Sequence, residues 1–165
     1  MDSVALCGFM GCGKSTTGAL LARQIKRPFV DLDTAVEEAA QMKIAQIFEQ
    51  SGEAFFRALE SRCLRELSAK KGIVLALGGG AVLSDENKEL LRRHFFVIFL
   101  DVPFAILQAR AGNDPARPLS GDGFYERYAA RLPLYRAVAD VIITGELTPA
   151  ETVQRIHRSG AHCAP

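Results

Sequence analysis

The sequence has 165 residues, 48% of them apolar and 24% charged, with 20 basic against 19 acidic side chains and a formal net charge of +1. That length supports one domain, spanning 1–165, with a sizeable core. The balanced charge lacks the strong basic excess of a nucleic-acid binder, and no run of 18 apolar residues offers a membrane span.

The N-terminal MDSVALCGF lacks the charged n-region of a signal peptide. Cys7, Cys12, Cys63 and Cys163 form no CxxC pair, and no His stands at metal-ligand spacing, so they read as free thiols of a reducing cytoplasm. Val4-Ala5-Leu6-Cys7 is a short apolar run before a glycine loop, as in a buried parallel strand. A helix is predicted from Ser15 to about Lys26, stopped by Pro28, and Pro28-Phe29-Val30-Asp31 reads as a second strand. Thr34-Ala35-Val36-Glu37 has capping-box spacing and opens a helix. The next helix is expected from about Gly52 to Ser68, with Phe56, Leu59, Cys63, Leu64 and Leu67 as its apolar stripe. Ile73-Val74-Leu75-Ala76-Leu77 is a third strand ending in Gly78-Gly79-Gly80. A helix over Asp85 to Arg93, a strand over Phe95 to Leu100 and a helix from Pro103 follow. Gly112 to Gly123 is rich in Gly and Pro, without apolar periodicity, and reads as a mobile loop. A helix from Phe124 to about Val138, a strand over Asp140 to Thr144, and a helix capped by Thr148 with Pro149 at its first position complete the chain.

Strands alternating with helices imply an α/β fold, a mostly parallel sheet covered on both faces. Ligands then bind outside the carboxyl ends of the strands, where the loops at Gly8, Asp31 and Gly78 begin.

Gly8-Phe9-Met10-Gly11-Cys12-Gly13-Lys14-Ser15 matches the phosphate-loop pattern GxxxxGK followed by Ser or Thr, between a predicted strand and a predicted helix. Its glycines let backbone N–H groups wrap phosphate oxygens, and the helix aims its positive end at the same place. Lys14 would reach the β- and γ-phosphates and Ser15 would bind Mg²⁺, with Cys12 contributing only its backbone. GTPases, motors and small-molecule kinases all use such a loop, but no NKxD guanine motif or DxxG switch follows it here.

Asp31 and Asp33 flank Leu32 at the end of the second strand, so both carboxylates can face the crevice. One would help hold Mg²⁺ and the other would orient an acceptor hydroxyl; the plainer account is that Asp33 merely precedes the cap at Thr34. Arg57 and Glu60, three apart, are either an exposed ion pair or an arginine fixed to clamp a substrate carboxylate. Three successive glycines at Gly78–Gly80 suggest a close approach of backbone to ligand.

Arg57-Ala-Leu-Glu60, then Leu64, then VLALGGGAV at 74–82 resembles the signature of the shikimate kinases. The likeness spans nearly the whole chain, through GFMGCGKST, DLD at 31–33, SGEAFFRALE at 51–60, ARPLS at 116–120 and RLPLYRAVAD at 131–140. The resemblance implies a three-layer α/β/α fold with a five-stranded parallel sheet, an acceptor-binding region over about 32–61 and a lid over about 112–124. It implies transfer of the γ-phosphate of ATP to the 3-hydroxyl of shikimate, with Mg²⁺, by a cytoplasmic monomer that needs neither nucleic acid nor membrane. Carried over residue by residue, Gly11, Cys12, Gly13, Lys14, Ser15 and Thr16 hold the nucleotide phosphates, and Ser15 and Asp31 serve the metal. Asp33 binds and activates the acceptor. Arg57 and Arg131 take its carboxylate, and the backbone of Gly78, Gly79 and Gly80 lines the site. Arg117 reaches the phosphates from the lid, and Arg110 stacks near adenine.

Two departures bear on the lid. Ser120 follows Leu119 where the family often has a second leucine, and the stretch from Arg117 to Arg131 is short by a few residues. Two alternatives stand beside this reading: another small phosphate-loop kinase with a gluconate-like acceptor, and a non-catalytic nucleotide-binding module of the same fold.

Overall fold

The structure is a computed structural model that describes residues 3–112 and 123–160. The apolar runs form five strands, β1 (Ser3–Cys7), β2 (Phe29–Asp31), β3 (Val74–Ala76), β4 (Phe95–Asp101) and β5 (Val141–Thr144). They form one sheet in the order β2-β3-β1-β4-β5, with every neighbouring pair parallel. The connecting helices are α1 (Lys14–Gln24), α2 (Leu32–Ala40), α3 (Ile44–Ser68), α4 (Asp85–His94), α5 (Phe104–Gly112), α6 (Phe124–Val138) and α7 (Pro149–Arg158). Helices α1 and α7 pack together, and α4 packs against α3, α6 and β4, so both faces of the sheet are covered. β1 is buried along its whole length, as a central strand covered on both faces must be, and its one polar side chain, Ser3, donates to Lys70 O and accepts from Ile73 N. The expected stripe on α3 is the buried one, Phe56, Leu59, Cys63, Leu64 and Leu67.

Register places the site. Ala76 of β3 pairs with Leu6 of β1 on one side and with Asp31 of β2 on the other. The three strand ends therefore lie side by side, and the loops at Gly8, Asp31 and Gly78 leave the sheet at one rim. The chain steps outward from β1 to β2, then crosses back over β1 to β4, which makes this rim the switch point where an open α/β sheet binds ligands.

Two helix starts differ from expectation. Helix α2 begins at Leu32, not Thr34, because Asp31 is its cap: Asp31 Oδ1 accepts from the backbone N–H of Asp33 at 3.0 Å and of Thr34 at 3.4 Å. An anionic carboxylate at a helix N-terminus satisfies orphan donors and meets the positive end of the dipole. Glu37 takes no part in capping α2; it pairs with Lys43 at 2.7 Å and accepts at 3.1 Å from the N–H of Ile44, the first residue of α3. Asp33 therefore sits in the first turn of a helix rather than on the strand. Helix α3 begins at Ile44, eight residues before Gly52, with Lys43 N bonded to the Gln46 side chain. Ile44, Ile47 and Phe48 supply the helical apolar spacing in this first segment. Gly52 then breaks the helical backbone at φ 77°, ψ 174°, which re-aims the second segment carrying Arg57 and Glu60.

Arg117, Ser120 and most of the predicted lid lie outside the described residues, as does Cys163. Cys7, Cys12 and Cys63 are buried free thiols, and no described helix is long and apolar enough to cross a membrane.

Candidate active site

The phosphate loop links β1 to α1 with the backbone its sequence requires. Gly11 and Gly13 have φ of 80° and 94°, and Gly13 is the left-handed cap of α1. Gly8 is required for space as well. A Cβ there would stand 2.8 Å from Cys12 Sγ and 2.9 Å from the Leu100 carbonyl. The Cys12 side chain is buried, 6% exposed. Lys14 Nζ donates to the carbonyls of Gly8 at 2.9 Å and Phe9 at 3.1 Å, which places its charge over the mouth of the loop. Beside the loop lies a cleft of about 280 Å³, walled by Gly11, Gly13, Thr16, Arg110, Leu147 and Pro149 among others. Arg110 donates to Gly11 O at 2.9 Å, so the structure brings this arginine against the phosphate loop.

Ser15 Oγ and Asp31 Oδ2 are 2.5 Å apart. The other Asp31 oxygen is held by the cap of α2, so one carboxylate fixes the helix and presents its free oxygen to the serine. Among the described residues no cluster of three His, Cys, Asp or Glu could hold a metal. Two oxygen donors next to a phosphate loop suit Mg²⁺, which keeps several waters and takes its remaining ligands from phosphates.

Across the rim from the loop, charged groups converge on the three glycines. Glu60 is 1% exposed and pairs through Oε2 with Arg57 Nη1 at 2.8 Å. Arg57 also reaches Glu53 at 3.3 Å. A Cβ on Gly80 would lie 2.4 Å from both Nη atoms of Arg57; a Cβ on Gly78 would lie 2.6 Å from Asp33 Oδ1 and 2.7 Å from Glu60 Oε1. The glycines are thus needed because side-chain ends occupy the space a Cβ would fill. Gly79 faces Arg131 Nη1, the Met10 N–H and the Tyr135 hydroxyl, each within 3.8 Å of its missing Cβ. Met10 belongs to the phosphate loop, so the two halves of the site meet at Gly79.

The electrostatics are those of a crowded anion site. Burial pushes the Asp33 carboxyl above its usual range and Asp31 adds to this, while Lys14 and Arg57 pull it back. Burial likewise raises Glu60, against the pull of Arg57, and Asp33 raises it further. Glu60 Oε1 is buried without a hydrogen-bond partner among the described residues. An orphaned oxygen beside Asp33 and two arginines needs an explanation, and it suits a polar ligand bearing hydroxyls.

Three contributors are absent from the sequence reading. Glu53 is a second partner for Arg57. Phe9, 1% exposed, packs edge-on against Phe124 and Tyr128 and carries the Arg131 guanidinium 5.8 Å over its ring. Tyr135 donates to Gly79 O. The one signal for the last is spacing, since Tyr135 lies one turn beyond Arg131 on the same helix.

The shikimate kinase family model matches residues 10–159. The chain belongs to the shikimate kinase family. It is 43% identical to the shikimate kinase of Psychrobacter arcticus, over 99% of this chain and 92% of the relative. With that of Aquifex aeolicus it shares 36%, over 93% and 92%. A solved shikimate kinase from Acinetobacter baumannii in complex with shikimate superposes with a TM-score of 0.91 at 34% identity, over 96% of this chain and 92% of that one. A sugar kinase from Janibacter, TM-score 0.68 at 17% identity, shares the fold alone. Family membership makes the chain an enzyme, a kinase that draws its phosphoryl group from ATP.

Proposed function

We propose that the enzyme transfers the γ-phosphoryl group of ATP to the 3-hydroxyl of shikimate, giving shikimate 3-phosphate and ADP on the route to aromatic amino acids. The observation that carries this reading is the convergence of Asp33, Arg57 and Arg131 on Gly78–Gly80, directly against the phosphate loop. Two guanidinium groups complement the one carboxylate of shikimate, and the Asp33 carboxylate complements its hydroxyls. The matched motifs extend from residue 10 to 159, and the Acinetobacter relative binds this acceptor.

In this reading Asp33 accepts a hydrogen bond from the 3-hydroxyl, aims its oxygen at the γ-phosphorus and takes up the proton. Phosphoryl transfer is mainly positioning and charge neutralisation, so a carboxylate is base enough. Arg57, pinned by Glu60 and Glu53, and Arg131, laid over Phe9, clamp the acceptor carboxylate. Lys14 leaves the loop carbonyls for the β- and γ-phosphates, and Gly11, Cys12, Gly13 and Thr16 enclose the phosphates with backbone N–H groups. Ser15 and Asp31 would hold Mg²⁺, which when bound neutralises charge on the phosphates. Arg110 borders the base end of the cleft, and Arg117 serves the lid over 112–124. We assign 32–61 as the acceptor-binding region of a single domain. The buried free thiols suit a reducing cytoplasm.

The test is ADP release from Mg-ATP with shikimate, gluconate or no acceptor, together with phosphorus NMR of the product. Shikimate-dependent ADP and one new 3-phosphate ester are expected. Equal release with gluconate, or none with either, would sink the assignment.

Gly80→Ala provides a second check. Gly80 has φ −103° and ψ 0°, a conformation open to alanine, so the obstacle is Arg57, 2.4 Å from the new methyl. A flexible side chain gives way more readily than backbone. The variant should fold with an almost unchanged melting temperature but raise the KM for shikimate about tenfold, as expected for one displaced charge-assisted hydrogen bond. The KM for ATP should hold. An unchanged shikimate KM would show that Arg57 is not needed where the structure puts it.

A further inference from the structure

Tyr135 is 1% exposed and stacks on Phe99 of β4, with ring centroids 5.3 Å apart and planes at 26°. Its hydroxyl donates to Gly79 O at 2.5 Å, across 56 residues of chain, and both this hydroxyl and Arg131 Nη1 stand within 3.8 Å of where a Cβ on Gly79 would be. The O–H donor of the buried phenol is thus satisfied. Burial also raises its pKa, so it remains a donor at every pH the enzyme meets.

The glycine run has no side chains of its own to hold it. Gly78 O and Gly80 O accept from the backbone N–H groups of Ala81 and Leu83. The intervening Gly79 O takes its bond from Tyr135. That bond fixes the plane of the Gly79–Gly80 peptide. Arg131 lies one helical turn away, and its Nη1 faces the same glycine.

We infer that Tyr135 is a positioning residue for the acceptor: its hydroxyl, braced on Phe99, fixes the Gly79 carbonyl beside the Arg131 guanidinium, and so sets how tightly and selectively the site takes a carboxylate. The inference rests on the reading of Arg131 and Gly79 as acceptor-binding groups. It goes beyond that reading by naming the buried group that makes them act together.

Tyr135→Phe keeps the ring on Phe99 and removes one oxygen. It should raise the KM for shikimate about tenfold, the effect of one lost hydrogen bond to a charged group, while the KM for ATP stays put. Preference for shikimate over its analogue with the carboxylate reduced to an alcohol should fall by a similar factor. In an Arg131→Met background the same change should add little, because both residues act at Gly79. Equal losses for ATP and shikimate, full additivity with Arg131→Met, or no effect would each overturn the proposal. If Arg131→Met itself leaves the shikimate KM untouched, the acceptor reading of Arg131 fails first and the proposal falls with it.

A measurement on the intact chain guards against a variant that does not fold. With 3-fluorotyrosine at Tyr125, Tyr128 and Tyr135, the Tyr135 resonance is assigned by replacing the other two with Phe. It should shift on adding shikimate, and also in ligand-free Arg131→Met. A resonance stationary in both cases overturns the proposal.

Discussion

Asp33→Asn is expected to lower kcat by about 100-fold or more, the range for loss of a positioned base, and at the same time to raise the melting temperature. The two effects have one origin. Asp33 Oδ1 points at Gly78 beside the partnerless oxygen of Glu60, and burial with the nearby Asp31 holds its pKa above the ordinary carboxylate value. A raised carboxyl pKa means that the folded state binds this proton more tightly than the unfolded chain does. Its stabilising contribution is complete below the unfolded pKa, near about 3.9, and is lost as pH rises through the folded value. At neutral pH the ionised Asp33 therefore costs stability, in exchange for the base that the proposed mechanism sets against the acceptor hydroxyl. Asparagine removes the charge and can donate to Glu60 Oε1. Melting curves at pH 7 and at about pH 4 check the sign: the variant's advantage should shrink at the lower pH, where the wild-type carboxyl takes up its proton. The acid limb of kcat/KM in the wild type should lie above that of an unperturbed aspartate. Near-normal turnover in Asp33→Asn, or a lower melting temperature at pH 7, would count against the assigned role.

Legibility in the sequence followed the range of the forces involved. The phosphate loop could be read because its demands are local: glycines at positive φ, then a lysine and a serine on the first turn of a helix. The strands could be read because a doubly covered parallel sheet needs unbroken apolar runs such as Phe95 to Leu100. The start of α2 could not, since two capping arrangements fit the local sequence. The winner, Asp31, is also the residue that register places at the rim beside Ser15. The first segment of α3 was missed because Gly52 cuts its pattern short. Arg57 and Glu60 illustrate the limit. Their spacing is that of any surface ion pair, and only tertiary packing, which leaves Glu60 1% exposed, separates a buried, fixed pair from a solvated face. The resemblance to a family offered the clamp as an expectation, whereas Tyr135, which carries no charge and was given no role within RLPLYRAVAD, remained silent until Gly79 was placed beside it.

Lys14→Met should retain the aliphatic stem and the fold while lowering kcat by about 100- to 1000-fold, the cost of removing one preorganised charge from a transition state. In the structure the ammonium group bridges the carbonyls of Gly8 and Phe9 and stands 3.8 Å from Cys12 Sγ. It is thus held at the loop mouth by weak acceptors that phosphate oxygens readily replace. The carbonyls of the buried residues Gly8 and Phe9 lose a donor in the variant, so the melting temperature should fall by roughly a few degrees. A second consequence separates this lysine from a mere binding contact. Lys14 is the first of the two cations that pull the Asp33 pKa down. Without it, burial and Asp31 act with less opposition, and the acid limb of the residual kcat/KM profile should move to higher pH than in the wild type. Calorimetric titration with nucleotide, steady-state rates and the pH profile of the variant together decide the matter. Weakened nucleotide binding with kcat intact would make Lys14 a ground-state contact. A large fall in kcat with an unmoved acid limb would leave Lys14 at the phosphates but place Asp33 beyond its field, in conflict with the geometry that joins the phosphate loop to the acceptor site at Gly79.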